Sequence, residues 1–203
     1  MLVLNPAILK KRPQGFDWNT DFVGYYTFND WLGNEIFSLN GGNSIAIGNN
    51  FSTDDFVESP TLNGNNSYYQ AGSNNNPRIN GNSVSIWVYK TNSVVGYLFG
   101  DLNGREIRVD DYNNIDIFNP DLVEYINIGY LNLDAWTHFV IQSDKVYING
   151  SLAYEGSYSF SDPAIFGTND YTYFAECYST NRILTQQEVT QLYNNGTGLF
   201  YPN

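Results

Sequence analysis

"LDAWTHFVIQSDKVYINGSLAYEG", residues 133–156, contains a hairpin, a two-faced strand and the one histidine of the chain. In it "KVYI" and "SLAY" flank Asn149 and Gly150. Asn-Gly supplies the two positive φ angles of a type I′ turn, whose twist matches that of paired strands, so the segment predicts a β-hairpin. Just upstream, "THFVIQS" sets Thr137, Phe139 and Ile141 against His138, Val140 and Gln142, because successive side chains point to opposite faces of a strand. "SVSIWVYK" (83–90) does the same with Val84, Ile86 and Val88 against Ser85, Trp87 and Tyr89. Both faces of each segment carry apolar groups. Such strands belong between two layers, a condition a sandwich meets more readily than an open sheet.

Outward from this stretch, the chain from Phe22 onward alternates short Val-, Ile-, Phe- and Tyr-rich segments with clusters of Asn, Gly, Asp and Ser. That is the habit of antiparallel β-structure, and the expected class is all-β. One helix is predicted, in "LTQQEVTQLYNNGTG" (184–198). Thr185 caps it, Glu188 completes a capping box, and Leu184 staples to Val189. Val189, Leu192 and Tyr193 form its apolar stripe, and Gly196 is placed to end it. Residues 1–21 show no sustained period and hold Pro6, Pro13 and the triplet Lys10, Lys11 and Arg12. They read as an extended basic arm, with the folded domain at 22–203.

With these pieces in hand a family pattern emerges. "VGYYTFNDWLGN" (23–34), "GNNSYYQAG" (64–72), "SVSIWVYKT" (83–91), "AWTHFVIQSDKVYINGSLAYEG" (135–156) and "FAECYSTNRILTQQEVTQLYNNG" (174–196) follow one another in the family's order. The chain resembles the laminin-G-like branch of the concanavalin A-like lectin/glucanase superfamily. The resemblance implies a jelly-roll sandwich of two antiparallel sheets with one short C-terminal helix, one sheet being curved so that its concave face or rim loops hold a ligand. It also implies that His138 is a sheet residue serving packing and one hydrogen bond rather than a base or a metal ligand.

Composition sets the remaining bounds. A chain of 203 residues with 42% hydrophobic and 17% aromatic residues folds around one well-buried core. Cys177 has no intramolecular partner and lies in the strand-like "YFAECYS", so a buried inert thiol is expected. The N-terminal apolar run precedes its charges, the reverse of a signal peptide, and no apolar stretch reaches the roughly 20 residues that span a bilayer. The expectation is a protein made in a cytoplasm, with assembly onto a virion surface open to it. Of the 9 basic residues three lie in residues 1–15, which hold no acid, and this leaves six against all 21 acids in the other 188 residues, the body of the chain. A body so acidic repels a phosphate backbone, and nucleic acid is not an expected partner.

Catalytic members of the superfamily hydrolyse polysaccharides with paired carboxylates on one strand, and a retaining glycosidase needs the two about 5 Å apart. No Glu-x-Asp-x-Glu or Glu-x-Asp-x-x-Glu run occurs; "GREIRVDD" (104–111) places Arg108 where the middle acid would stand. A lone histidine makes no two-histidine zinc motif, and no phosphate-binding glycine pattern is present. The protein is therefore expected not to be an enzyme. The resemblance raises one calcium ion as a cofactor, with Asp30 as the loop carboxylate and Glu176 as the strand carboxylate. Where the family has Asp-Glu this chain has Ala175 and Glu176, and the alternative is that Asp30 is a turn residue and Glu176 pairs with Arg182.

Asparagine is unusually frequent, and it lies beside tyrosine or tryptophan in "NDWLGN", "NGNNSYYQAGSNNN", "DDYNNID" and "NDYTY". Aromatic faces stack on the C–H surfaces of sugars while planar amides bond hydroxyl pairs, so Trp31, Asn34, Asn66, Tyr68, Tyr69, Tyr112, Asn113, Asn114, Asn169 and Tyr171 are candidate glycan-binding residues. Turn formation by Asn and Gly is the competing explanation. Four glycosylation sequons, at Asn50, Asn65, Asn149 and Asn195, are what chance supplies in such a chain. The first functional reading is a non-catalytic carbohydrate-binding module whose arm, through Lys10, Lys11 and Arg12, anchors it in a larger assembly. It is similar in this to laminin-G-like modules that decorate bacteriophage particles and meet host surface polysaccharide. A structural assembly protein without sugar binding is the second reading and a glucanase the third; a homo-oligomer is compatible with each.

Overall fold

Strand alternation in Ser83–Lys90 and Trp136–Gln142 builds the centre of the molecule, seen in a computed structural model. The structure describes residues 22–26, 79, 81–100, 106–119, 122–156 and 172–198, with residue 62 and strand segments at 31–32, 35–36, 45–46, 56–57, 68–70 and 164–165. In chain order the strands are β1 (Phe22–Tyr26), β2 (Trp31–Leu32), β3 (Glu35–Ile36), β4 (Ile45–Ala46), β5 (Phe56–Val57), β6 (Tyr68–Gln70), β7 (Ser83–Lys90) and β8 (Gly96–Gly100). There follow β9 (Glu106–Val109), β10 (Asn114–Asn119), β11 (Glu124–Tyr130), β12 (Trp136–Gln142), β13 (Lys145–Ile148), β14 (Ser151–Glu155), β15 (Ala164–Ile165) and β16 (Thr172–Thr180), then the helix α1 (Gln186–Tyr193). The first sheet runs β14-β13-β12-β7-β16-β6-β5 with β1 also on β16, and the second runs β11-β10-β9-β8-β15. The strands β2, β3 and β4 add a small third sheet that the sequence did not suggest.

Between the two large sheets lies the main core. Val84, Ile86, Val88, Phe139, Ile141, Val146, Phe174 and Cys177 of the first meet Leu98, Phe99, Ile107, Val109, Ile115 and Ile117 of the second. Each such side chain, fully buried, contributes roughly 1.5–3 kcal/mol through water released from its surface. The opposite face of the first sheet is apolar too, and α1 covers it. Phe22, Val140, Tyr147 and Tyr178 pack there with Leu184, Val189 and Leu192. The two-faced pattern of β7 and β12 thus has its two layers, one a sheet and the other a helix.

The N-terminus of α1 is as read: Thr185 accepts from the Glu188 backbone N–H, and the Glu188 carboxylate accepts from the Thr185 backbone N–H at 2.8 Å. Its end differs. The helix stops at Tyr193 with Asn194 as left-handed cap (φ 46), two residues before the expected Gly196, because asparagine also tolerates that conformation. The hairpin turn has the predicted signs, φ 49 at Asn149 and 78 at Gly150. Its Gly150 carbonyl accepts from Gln186 Nε2 at 2.7 Å, which ties the tip to α1.

One strand breaks the alternation. In β16 Ala175 lies opposite Trp87 and Tyr178 opposite Ser85, so Glu176 and Cys177 share the single position opposite Ile86. Glu176 is the bulged residue, with φ 49 and 2% exposure. The bulge lets both Phe174 and Cys177 face the main core. Burial and the neighbouring Glu176 push the Cys177 thiol well above its ordinary pKa, which keeps it protonated and inert.

Candidate functional site

The second sheet is apolar on one side only. Ile107, Val109, Ile115 and Ile117 are completely buried, and Ile126 and Ile128 pack on the same core. Alternation therefore turns Glu106, Arg108, Asp116, Phe118, Tyr125 and Asn127 to the other side. Register assembles them. Tyr97 lies opposite Arg108, Arg108 opposite Asp116 and Asp116 opposite Asn127, a row that crosses four adjacent strands. Three strand spacings make it about 14 Å long. Phe118 and Tyr125 face one another in the adjoining row, their rings 5.0 Å apart.

The side chains of the face are tied together. Arg108 lies over the Tyr125 ring, its Cζ 3.3 Å from the centroid, and its Nη2 is 3.4 Å from Asp116 Oδ2. Asn127 Nδ2 donates to Asp116 Oδ1 at 3.4 Å and to the Gly129 carbonyl at 3.3 Å. Tyr125 donates its hydroxyl to Glu106 Oε1. Burial, with the hydrogen bond to Glu106 second, raises the Tyr125 pKa, so the phenol keeps its proton. Tyr97 is 36% exposed and Asn127 is exposed as well. The arrangement offers ring faces and a planar amide on one shallow surface, with the carboxylate of Asp116, a residue only 7% exposed, fixed between Arg108 and Asn127.

At one end of the strands the β9–β10 turn forms a rim. Asp110 Oδ1 accepts from the backbone N–H groups of Tyr112 at 2.9 Å and Asn114 at 2.8 Å, while Oδ2 accepts from Asn114 Nδ2 at 2.9 Å. Burial acts to raise the Asp110 pKa, but these bonds and nearby Arg108 outweigh it and hold the carboxyl below its ordinary value. The turn leaves Asn113 left-handed (φ 65) and Tyr112 standing 73% exposed.

Of the residues singled out in the sequence, Tyr112, Asn113 and Asn114 are thus brought to the rim of this face. Trp31 is in β2, and Tyr68 and Tyr69 are in β6, on the other large sheet. Asn34, Asn66, Asn169 and Tyr171 lie outside the described residues, as do Asp30, Lys10, Lys11 and Arg12. Glu176 is the buried residue of the β16 bulge, while Arg182 bridges to Glu188 at 2.6 Å. Among the described residues no three or more His, Cys, Asp and Glu side chains group as a metal site, and no helix is long and apolar enough to cross a membrane. Sequence reading missed Tyr97, Glu106, Asp116, Tyr125 and Asn127. The signal for the last four was the one-sided alternation of "EIRV", "NIDIFN" and "EYINIGY".

Ser85 Oγ is 2.8 Å from His138 Nε2, the spacing of a nucleophile and its base. Both residues are 1% exposed. The imidazole lies beside its cross-strand neighbour Trp87, 4.9 Å away, Tyr193 of α1 is stacked over both at 6.0 Å, and burial lowers the imidazole pKa to about 3. A base so weak, with no path for substrate between sheet and helix, is a packing residue. Lys90 is also buried at the inner face of β7; its Nζ donates to Asn92 Oδ1 at 3.2 Å, and burial draws its pKa down to about 8.

No protein-family model and no curated protein matches the sequence. Solved structures do match the fold. Trypanosoma rangeli sialidase superposes with a TM-score of 0.60 at 12% identity, over 85% of this chain and 32% of that one. The same sialidase in complex with the inhibitor DANA gives 0.60 at 13% identity, over 88% of this chain and 34% of that one. The receptor binding domain of botulinum neurotoxin type G gives 0.57 at 15% identity, over 86% of this chain and 51% of that one. The chain spans about a third to a half of the length of these structures. The likeness is one of fold: a β-sandwich of the kind found in a sialidase chain and in a toxin receptor-binding domain.

Proposed function

We propose that the protein is a non-catalytic carbohydrate-binding module of laminin-G-like type, and that it holds glycan on the outward face of β8–β11. The observation that carries this reading is the row Tyr97–Arg108–Asp116–Asn127 with the Tyr125 ring beside it. Rings stack on sugar C–H faces, and a carboxylate next to an amide matches a pair of vicinal hydroxyls. The Tyr112 turn adds a third tyrosine ring, at the rim. Retention of purified protein on a polysaccharide array tests the reading, with Tyr125→Ala as the paired variant. Loss of the ring is expected to weaken binding about tenfold, equivalent to roughly 1.4 kcal/mol. Undiminished binding by the variant would remove the face from consideration. Incubation with laminarin-like glucans is expected to release no reducing sugar, because Asp116 is committed to Arg108 and Glu106 to Tyr125.

In the wider form of the proposal, residues 1–15 of the arm attach the module to a larger assembly such as a virion surface, with Lys10, Lys11 and Arg12 as the contact. Deleting the arm then abolishes incorporation into the particle while glycan binding survives. A second reading, calcium binding, is favoured by Glu176. A non-glycine residue held left-handed costs roughly 1–2 kcal/mol, and a buried carboxylate there is the type of ligand a hard cation takes. Calorimetric titration of chelator-treated protein tests it, and no heat at millimolar calcium ends it.

A further inference from the structure

We infer that the saccharide held on the β8–β11 face is neutral, and that sugars bearing carboxylate, sulfate or phosphate are refused. This rests on the carbohydrate-binding reading above and specifies its ligand. Among the described residues of the face and its rim, Arg108 is the one cation, and it is engaged on two sides. Its Nη2 faces Asp116 and its plane covers the Tyr125 ring at 3.3 Å. Arranged against it are the carboxylates of Glu106 and Asp116 on the face and of Asp110, Asp111 and Glu124 at the strand ends. Asp116 cancels Arg108, and the remaining acids leave the described part of this surface negative. An anionic sugar would meet that field with no free guanidinium or ammonium among the described groups to receive it.

A neutral sugar meets no such barrier. The Asn127 contacts at 3.3 and 3.4 Å are long hydrogen bonds, readily exchanged for a hydroxyl pair that donates to Asp116 and accepts from the amide. Ion pairing of Asp116 with the part-buried Arg108 holds the carboxylate in place for that purpose.

The test is an array of neutral glucans, galactans and mannans beside uronate-bearing, sialylated and sulfated glycans, probed with the full chain at low and high salt. Neutral glycans are expected to be retained at least about tenfold more tightly than acidic ones, with little change on adding salt, since no ion pair to ligand is screened. Asp116→Asn, checked for folding by its thermal midpoint, is expected to lose neutral binding and to gain retention of acidic glycans as Arg108 is released. Asn127→Lys, which supplies a free cation at the surface, is expected to show the same gain and serves if the first variant does not fold. Acidic glycans retained by the wild-type chain and shed at high salt would overturn the inference while leaving the binding reading intact. Preference for amine-bearing glycans would overturn it too. Retention of nothing would sink both.

Discussion

His138 shows what burial does to a titratable side chain. In the unfolded chain its imidazole protonates near pH 6.5, and in the folded chain only near pH 3. Between these values the unfolded state binds the extra proton, so stability falls as the pH falls, by up to about 1.4 kcal/mol per pH unit. Glu188 is shifted in the same direction by a different cause. Burial raises its pKa, but hydrogen bonds from Arg182 and Thr185 leave it lowered, so its contribution is present above the unfolded carboxylate value and lost as the pH drops through the lower folded one. The upper part of the acid limb, from about pH 6.5 to the carboxylate range, therefore belongs to the one histidine. Urea midpoints measured across it are expected to slope in the wild type and to be flat in His138→Gln. A slope that persists in the variant would show that another group titrates there. The sequence alone placed this residue in a sheet. The cover that Tyr193 lays over it and Trp87 depends on where the helix lands, and nothing local to "AWTHF" discloses that.

At the scale of the element, α1 and the β13–β14 hairpin hold each other. A Cβ on Gly150 would stand 2.9 Å from Tyr193 Cδ1 and 3.1 Å from Tyr193 Cβ, and Gly150 also has φ 78. Gly150→Ala thus combines left-handed strain with a clash against atoms near the helix backbone, and a loss above about 2 kcal/mol is expected. Gly196→Ala keeps only the strain, since the closest atom to its Cβ is 3.5 Å away, and it should cost about 1 kcal/mol. Thr185→Ala removes the cap and should likewise cost about 1 kcal/mol. Thermal midpoints rank the three, and equal losses at Gly150 and Gly196 would refute the docking argument. Capping was legible because a capping box is a local pattern of two side chains. Termination was not, because Asn194 and Gly196 both accept positive φ and packing chooses between them.

For the whole molecule, the layered architecture was readable in the two-faced strands and the turn signals between them. The candidate site was not. Tyr97, Arg108, Asp116 and Asn127 come from four strands and meet only through register, so the row exists in no single stretch of sequence. A ligand seated on that row stabilises the folded state in proportion to its occupancy, by about 2.7 kcal/mol at a hundredfold excess over its dissociation constant. The melting temperature should accordingly rise with a retained glycan in the wild type and stay fixed in Tyr125→Ala; an equal rise in both would move the binding surface elsewhere. The β16 bulge has a different lesson. If Glu176 were excised, Cys177 would drop into place opposite Ile86, and Phe174, Ala175, Cys177 and Tyr178 would pair flush with β7 in unbroken alternation. Pairing alone does not require this residue, so the excised chain should assemble at least as firmly as the parent, and a lower thermal midpoint in it would show that Glu176 secures the strand by contacts of its own.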